Sequence, residues 1–266
     1  MKKTGNLKMV LSLMFILAIT GLSLRTVMAA PKQMYYEIKI YRIGKPGQEA
    51  KIDAYLKDAF IPALHRAGIS KVGVFKPIEK DTAFGKLVYV FIPYKNLGQY
   101  ETLSDKLNKD QAYQQAGQAF LDAPFNDPAY IRHEDILAKA FSHMPEFKTF
   151  AYSTPVNERI YEYRSYESAT DAKALKKIHM FNEGGEMAIF EKIGSNAVFY
   201  AQVILGSQKP RLIYMTTYSD MKSHDEHWNA FRNAPEWKAL SGKEEYKNST
   251  SKTRAFLLHP TNYSDF

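Results

Sequence analysis

Tyr36-Glu37-Ile38-Lys39-Ile40-Tyr41 and Tyr161-Glu162-Tyr163-Arg164-Ser165-Tyr166 read as one stretch written twice, 125 residues apart. Both alternate along the chain and are rich in Tyr and Ile, the pattern of a half-buried β-strand. Working outward, each is followed by a predicted helix, over residues 46–67 and 169–193, that stops at a glycine, Gly68 or Gly194. Glycine adopts the left-handed backbone of a helix stop at little cost. Two strands are predicted next in each copy, over 70–78 with 86–94 and over 196–205 with 211–218. There Leu87-Val88-Tyr89 and Leu212-Ile213-Tyr214 keep the spacing of 125. A second helical region follows, where Asp110-Gln111-Ala112-Tyr113 answers Ala234-Pro235-Glu236-Trp237, and then a last strand near 135–141 and 254–258.

The order β-α-β-β-α-β, twice, is that of two tandem ferredoxin-like units in an α+β protein. Each sheet has an aromatic face that needs a cover, so the two units are expected to lay their sheets together within one chain, without a second copy. The expected domains are residues 31–145 and 158–266, joined by a linker over 146–157 that holds few periodic positions. Extra residues around 114–130 enlarge the first copy.

Composition agrees with a globular chain: of 266 residues, 45% are hydrophobic and 24% charged, with 18 Tyr and 16 Phe to fill a core. The absence of cysteine excludes disulfides, thiolate metal sites and a cysteine nucleophile. Lys2, Lys3 and Lys8 precede an apolar run over 9–24, and Val27-Met28-Ala29 offers small residues at a cleavage site. Residues 1–29 therefore read as a signal peptide, and the mature chain is expected in the periplasm or outside the cell. Its net charge falls from +8 to about +4, because Lys2, Lys3, Lys8 and Arg25 depart with no acid among them. Lys173, Lys176 and Lys177 lack interleaved aromatics, so they read as a solvated face and no nucleic-acid partner is expected. No later segment has the length of a membrane span.

Chemistry-bearing residues gather in the second copy. At helical spacing Leu175, His179, Asn182, Glu186, Ile189 and Ile193 fall on one stripe expected to face the sheet. His179, Asn182 and Glu186 would then be polar groups on an apolar face, a costly arrangement that a ligand pocket relieves. Tyr161, Tyr163 and Trp228 are the aromatic residues expected to close such a pocket. The competing reading has Gly184-Gly185 break the helix, so that the stripe never forms. His224 and His227 stand three residues apart and are a weak candidate pair for a metal. The same segment, Ser223-His224-Asp225-Glu226, reads first as a plain helix N-terminus, with Ser223 as N-cap and Glu226 completing a capping box. Phosphate-cradling glycine loops, nucleophile elbows and HExxH are all missing from the sequence.

In these residues the chain resembles the NIPSNAP family, within the dimeric α/β-barrel superfamily. The resemblance spans about 34–145 and 157–260, and is strongest at Ile160–Tyr166, at Asn196-Ala197-Val198-Phe199-Tyr200 and at residues 228–237. In that last segment Trp228, Phe231, Pro235 and Trp237 keep the family's spacing, whereas the first copy has Tyr113 in place of Trp237 and reads as a scaffold. The resemblance implies the fold and little chemistry, although relatives on the barrel include small monooxygenases and haem-handling enzymes. The expected function is an exported, non-catalytic module, of unassigned cofactor, that binds a small apolar or amphipathic ligand or a protein partner, with homo-oligomers open. The alternative is a cofactor-independent or haem-assisted oxidoreductase in which His179 is the base and Asn182 and Glu186 orient it or the substrate.

Overall fold

A computed structural model describes residues 32–266. The expected signal peptide over 1–29 lies outside the described residues. The eight strands are β1 (Tyr35–Arg42), β2 (Gly73–Pro77), β3 (Leu87–Tyr94), β4 (Arg132–Ala140), β5 (Ile160–Glu167), β6 (Asn196–Leu205), β7 (Arg211–Tyr218) and β8 (Lys252–Pro260). All neighbours pair antiparallel in one closed barrel of order β1-β3-β2-β8-β5-β7-β6-β4. Two seams join the halves, β2 with β8 and β4 with β6, so each half lends its last strand to the other's second. Closure leaves no free sheet edge.

Alternation along each strand sorts side chains between the barrel interior and the helix-covered outer face of each half. Tyr36, Ile38, Phe75, Tyr89, Phe91, Tyr161, Tyr163, Phe199 and Met215 fill the barrel. Phe147 of the connecting segment and Phe266 of the C-terminus pack against the same cluster, Phe266 with its ring centre 5.6 Å from that of Phe91. The connection over 146–157 is thus docked: Lys148 donates its amide to Val198 and the Tyr152 hydroxyl bonds the Thr217 carbonyl.

Helices cover the outer faces. In the first half α1 (Gln48–Tyr55) runs through a π-turn (Leu56–Phe60) into α2 (Ile61–Arg66), and α3 (Leu97–Lys109) and α4 (Gln111–Leu121) follow β3. In the second half α5 (Asp171–Asn182) and α6 (Glu186–Lys192) precede β6, and α7 (Met221–Asn233) and α8 (Pro235–Ser241) follow β7.

Two expectations need correction. The helix expected over 169–193 is two helices, because Gly185 takes φ 96° and turns the chain between Asn182 and Glu186. The apolar stripe is lost with it: Leu175 is exposed, while Ala174, Lys177, Met180 and Phe181 face inward. Second, Leu87-Val88-Tyr89 and Leu212-Ile213-Tyr214 match in sequence but are one residue out of structural register. Tyr35 pairs with Tyr94 and Ile160 with Tyr218, which sets Tyr89 opposite Ile213 in the repeat. A slip of one residue exchanges the two faces of a strand. Tyr89 accordingly lies in the barrel and Tyr214 under the helices.

Candidate functional site

Each half packs helices on the outer face of its sheet, and in the second half the space beneath α7 is filled by side chains. Glu162 leaves β5 on the face opposite Tyr161 and Tyr163 and is buried beneath α7. It accepts from Arg164 Nη1 at 2.7 Å and from Trp228 Nε1 at 2.6 Å, and His224 Nε2 stands 3.4 Å away. The Arg164 guanidinium lies 4.4 Å from the centre of the Trp228 ring, a cation–π contact. Burial pushes the Glu162 carboxyl up, but the His224 hydrogen bond and the Arg164 charge outweigh it and hold the pKa below the usual carboxylate range. Burial works in the same way against the His224 cation, and Glu162 and Asp225 carry its pKa above the ordinary histidine value.

The residues expected around a second-half pocket do not converge. His179 Nδ1 is 2.9 Å from the Tyr246 hydroxyl. Asn182 donates to the Ile178 carbonyl at 3.1 Å and accepts from the His143 amide at 3.2 Å. Both line a shallow hollow of about 290 Å³, from which Glu186 is absent. Glu186 is sealed behind α6 in a 2.7 Å ion pair with Lys177, whose ammonium also sits among the rings of Tyr166, Phe181 and Trp237. Tyr161 and Tyr163 are directed into the closed barrel, because strand alternation sends them away from Glu162. Trp228 is bound to Glu162 and buried. His227 Nδ1 turns back to the Ser223 carbonyl at 2.6 Å, while His224 bonds Asp225 at 2.9 Å. Among the described residues no three His, Asp or Glu side chains gather as a metal-binding group.

The first half, read from sequence as a scaffold, holds the larger opening. A cleft of about 600 Å³ lies between β1, β3 and β4 on one side and the helices α1, α3 and α4 on the other. Small-molecule pockets run from ~300 to ~1,000 Å³. Its walls are aromatic: Tyr41, Tyr55, Phe60, Tyr94, Tyr100, Tyr113, Phe120 and Tyr130 all line it. The π-turn sets Tyr55 and Phe60 on one side with rings 5.5 Å apart, and Phe120 stacks on Tyr55 at 3.8 Å. Such turns recur at functional sites. The Tyr55 and Tyr113 hydroxyls bond each other at 2.8 Å.

At the floor stands Glu37, the repeat partner of Glu162. It accepts from the Tyr94 hydroxyl at 2.6 Å and lies 3.3 Å from Lys39 Nζ, which also bonds Asp135. Burial and the Glu37 charge drive the Tyr94 pKa far above the ordinary tyrosine value, so its hydroxyl stays a donor. Burial opposes the Lys39 cation, but Glu37 and Asp135 outweigh it and raise the pKa. The cleft therefore offers aromatic faces, hydroxyls and a charged floor.

The reason one half is open and the other filled can be read along the helices. Asn96 and Asp220 cap α3 and α7 in the same way, each accepting from the amide three residues on, and both helices run 13 residues. That correspondence sets Ser104 where Trp228 stands and Tyr100 where His224 stands. Ser104 faces the cleft.

Residues 161–265 match the NIPSNAP family model. No curated protein sequence matches the chain. Among solved structures, a monooxygenase-like protein from Lactobacillus acidophilus NCFM is 14% identical at a TM-score of 0.55, over 86% of this chain and 94% of that one. An anthrone oxidase-like protein is 9% identical at a TM-score of 0.52, over 87% and 93%. These likenesses are of fold, an α+β architecture of the dimeric α/β-barrel type. The repeated stretch Tyr161–Tyr166, the second-half helices and the Pro-Glu-Trp segment all fall within residues 161–265, the part of this chain that matches the NIPSNAP family model.

Proposed function

We propose that the chain is a binding module whose first-half cleft holds a small molecule with an apolar or amphipathic body. The observation that carries this reading is the 600 Å³ aromatic cleft with the buried Glu37 at its floor. The second half is its closed counterpart, stiffened by Glu162, Arg164 and Trp228. In this reading the barrel is two ferredoxin-like units, 31–145 and 158–266, packed as an intramolecular dimer. The chain is exported to the periplasm or beyond once residues 1–29 are removed, which N-terminal sequencing returning Ala30 would support and Met1 would refute.

Oxidoreductase chemistry based on His179 draws no support from the geometry, since Glu186 is sealed away from it and paired with Lys177. Native mass spectrometry of protein purified from its own host tests the binding reading. A non-covalent small-molecule mass on the wild type that is absent from Ser104→Trp is the expected result. A ligand-free wild type, or a ligand retained by that variant, would overturn it.

A further inference from the structure

We infer that the ligand of the first-half cleft is a planar aromatic molecule carrying an N–H or O–H donor, seated where the second half places its own Trp228 indole. The inference rests on the binding reading above and goes on to name the ligand's chemistry. The two halves are an internal comparison. Glu162 has three partners: Arg164, the Trp228 indole N–H and His224. Glu37 has two, the Tyr94 hydroxyl and the Lys39 ammonium. A carboxylate offers about four lone-pair sites, so Glu37 retains capacity for a further donor.

The missing partner is the indole. Ser104 occupies its position in the helix, and a serine side chain is too short to fill the space or to cover the rings across from it. Tyr218, the repeat partner of Tyr94, bonds Ser195 and Thr216 instead of Glu162, so the two halves satisfy the carboxylate by different routes. What remains in the first half is a slot with aromatic walls and an acceptor at its floor. A flat ring satisfies the walls by stacking and edge contacts. A donor on that ring satisfies Glu37 with a charge-assisted hydrogen bond, which fixes its orientation. Lys39 bridges Asp135 and Glu37 beside the slot, and the lone-pair sites of Glu37 that it does not use are open to a neutral donor.

Indole and 1-methylindole are the probes, because they share a plane and differ by the donor. Calorimetric titration of the full mature chain is expected to show indole binding about tenfold more tightly than 1-methylindole. Glu37→Gln, which keeps an acceptor oxygen but removes its charge, is expected to shrink that preference while leaving 1-methylindole binding within about twofold. Ser104→Trp is expected to abolish binding of both. In the converse experiment, Trp228→Ala should give the second half a new indole site. Equal binding of the two probes by the wild type would overturn the inference and leave the cleft as a site for some other small molecule. Binding of neither, with host-purified protein free of ligand, would remove the binding reading as well. The wild-type comparison decides the matter even if a variant fails to fold.

Discussion

Replacing Trp228 with Phe isolates the bond that closes the second half. Phenylalanine keeps an aromatic ring against Phe190 and Phe231, whose centres lie 5.8 and 5.6 Å from that of Trp228. It removes the indole N–H that Glu162 accepts at 2.6 Å, and the carboxylate is 3% exposed, so water does not replace the donor. Losing one charge-assisted bond to a buried group costs about 1–3 kcal/mol. For a chain of this size that is a fall in Tm of roughly 2–12 °C.

The same variant carries a pH signature. Glu162 titrates below the ordinary carboxylate value, so its contribution to stability is present above that value and is lost as pH falls through the folded pKa. Without the indole donor the pKa moves back up. The difference between wild type and Trp228→Phe therefore shrinks as the solution is acidified from neutrality past the Glu162 titration. Urea unfolding at pH 7 and at successive steps below the ordinary carboxylate range reads both effects. A Trp228→Phe protein as stable as the wild type at pH 7, or a penalty that grows on acidification, would refute the account of this site.

Three further outcomes follow from the same geometry. Lys177→Met strips the buried Glu186 of its counter-ion and is expected to cost about 3–5 kcal/mol, with most of it recovered in Lys177→Met/Glu186→Leu; a single variant with wild-type urea stability would contradict the buried pair. His224 titrates above the ordinary histidine value, so its contribution is complete below about pH 6.5 and is lost as pH rises through the folded pKa. His224→Asn should flatten that part of the melting profile between pH 5.5 and 8.5, and an unchanged slope would sink the assignment. Residues 158–266 expressed alone expose the strand edges that β2 and β4 cover, and are expected to self-associate in sedimentation; a stable monomer at high concentration would count against the shared barrel.

Local signals carried much of the fold. The β6 and β7 strands fall at 196–205 and 211–218 as expected, because alternating apolar residues bounded by polar turns report strands directly. Gly68 and Gly194, read as helix stops, adopt φ 91° and 77°. One feature is hidden from such signals for a physical reason. The one-residue shift between Leu87-Val88-Tyr89 and Leu212-Ile213-Tyr214 is set by pairing with β1 and β5, and Leu-Val-Tyr satisfies either face. The break at Gly185 agrees with the reading in which Gly184-Gly185 ends the helix, and the continuous stripe through Glu186 does not form.

The candidate site was less legible still. Polar residues on a helix draw attention, so His179, Asn182 and Glu186 stand out, although the fold separates Glu186 from the other two. The first-half cleft is created by a small residue, Ser104, at a position where the repeat has Trp228, and periodicity does not mark a missing side chain. Aligning the Asn96 and Asp220 caps would have exposed it. Glu37 and Glu162 were visible as repeated acids within strands. Their burial became evident only with the helices that cover them.

The central claim is that the first-half cleft is occupied in the working protein and the second-half space is not. A crystal structure of the chain purified from its own host tests this most directly. The account predicts density for a flat small molecule beside Ser104, within hydrogen-bond distance of Glu37, and none between Glu162 and α7. Density in the hollow lined by His179 and Asn182, with the first-half cleft holding only water, would contradict it.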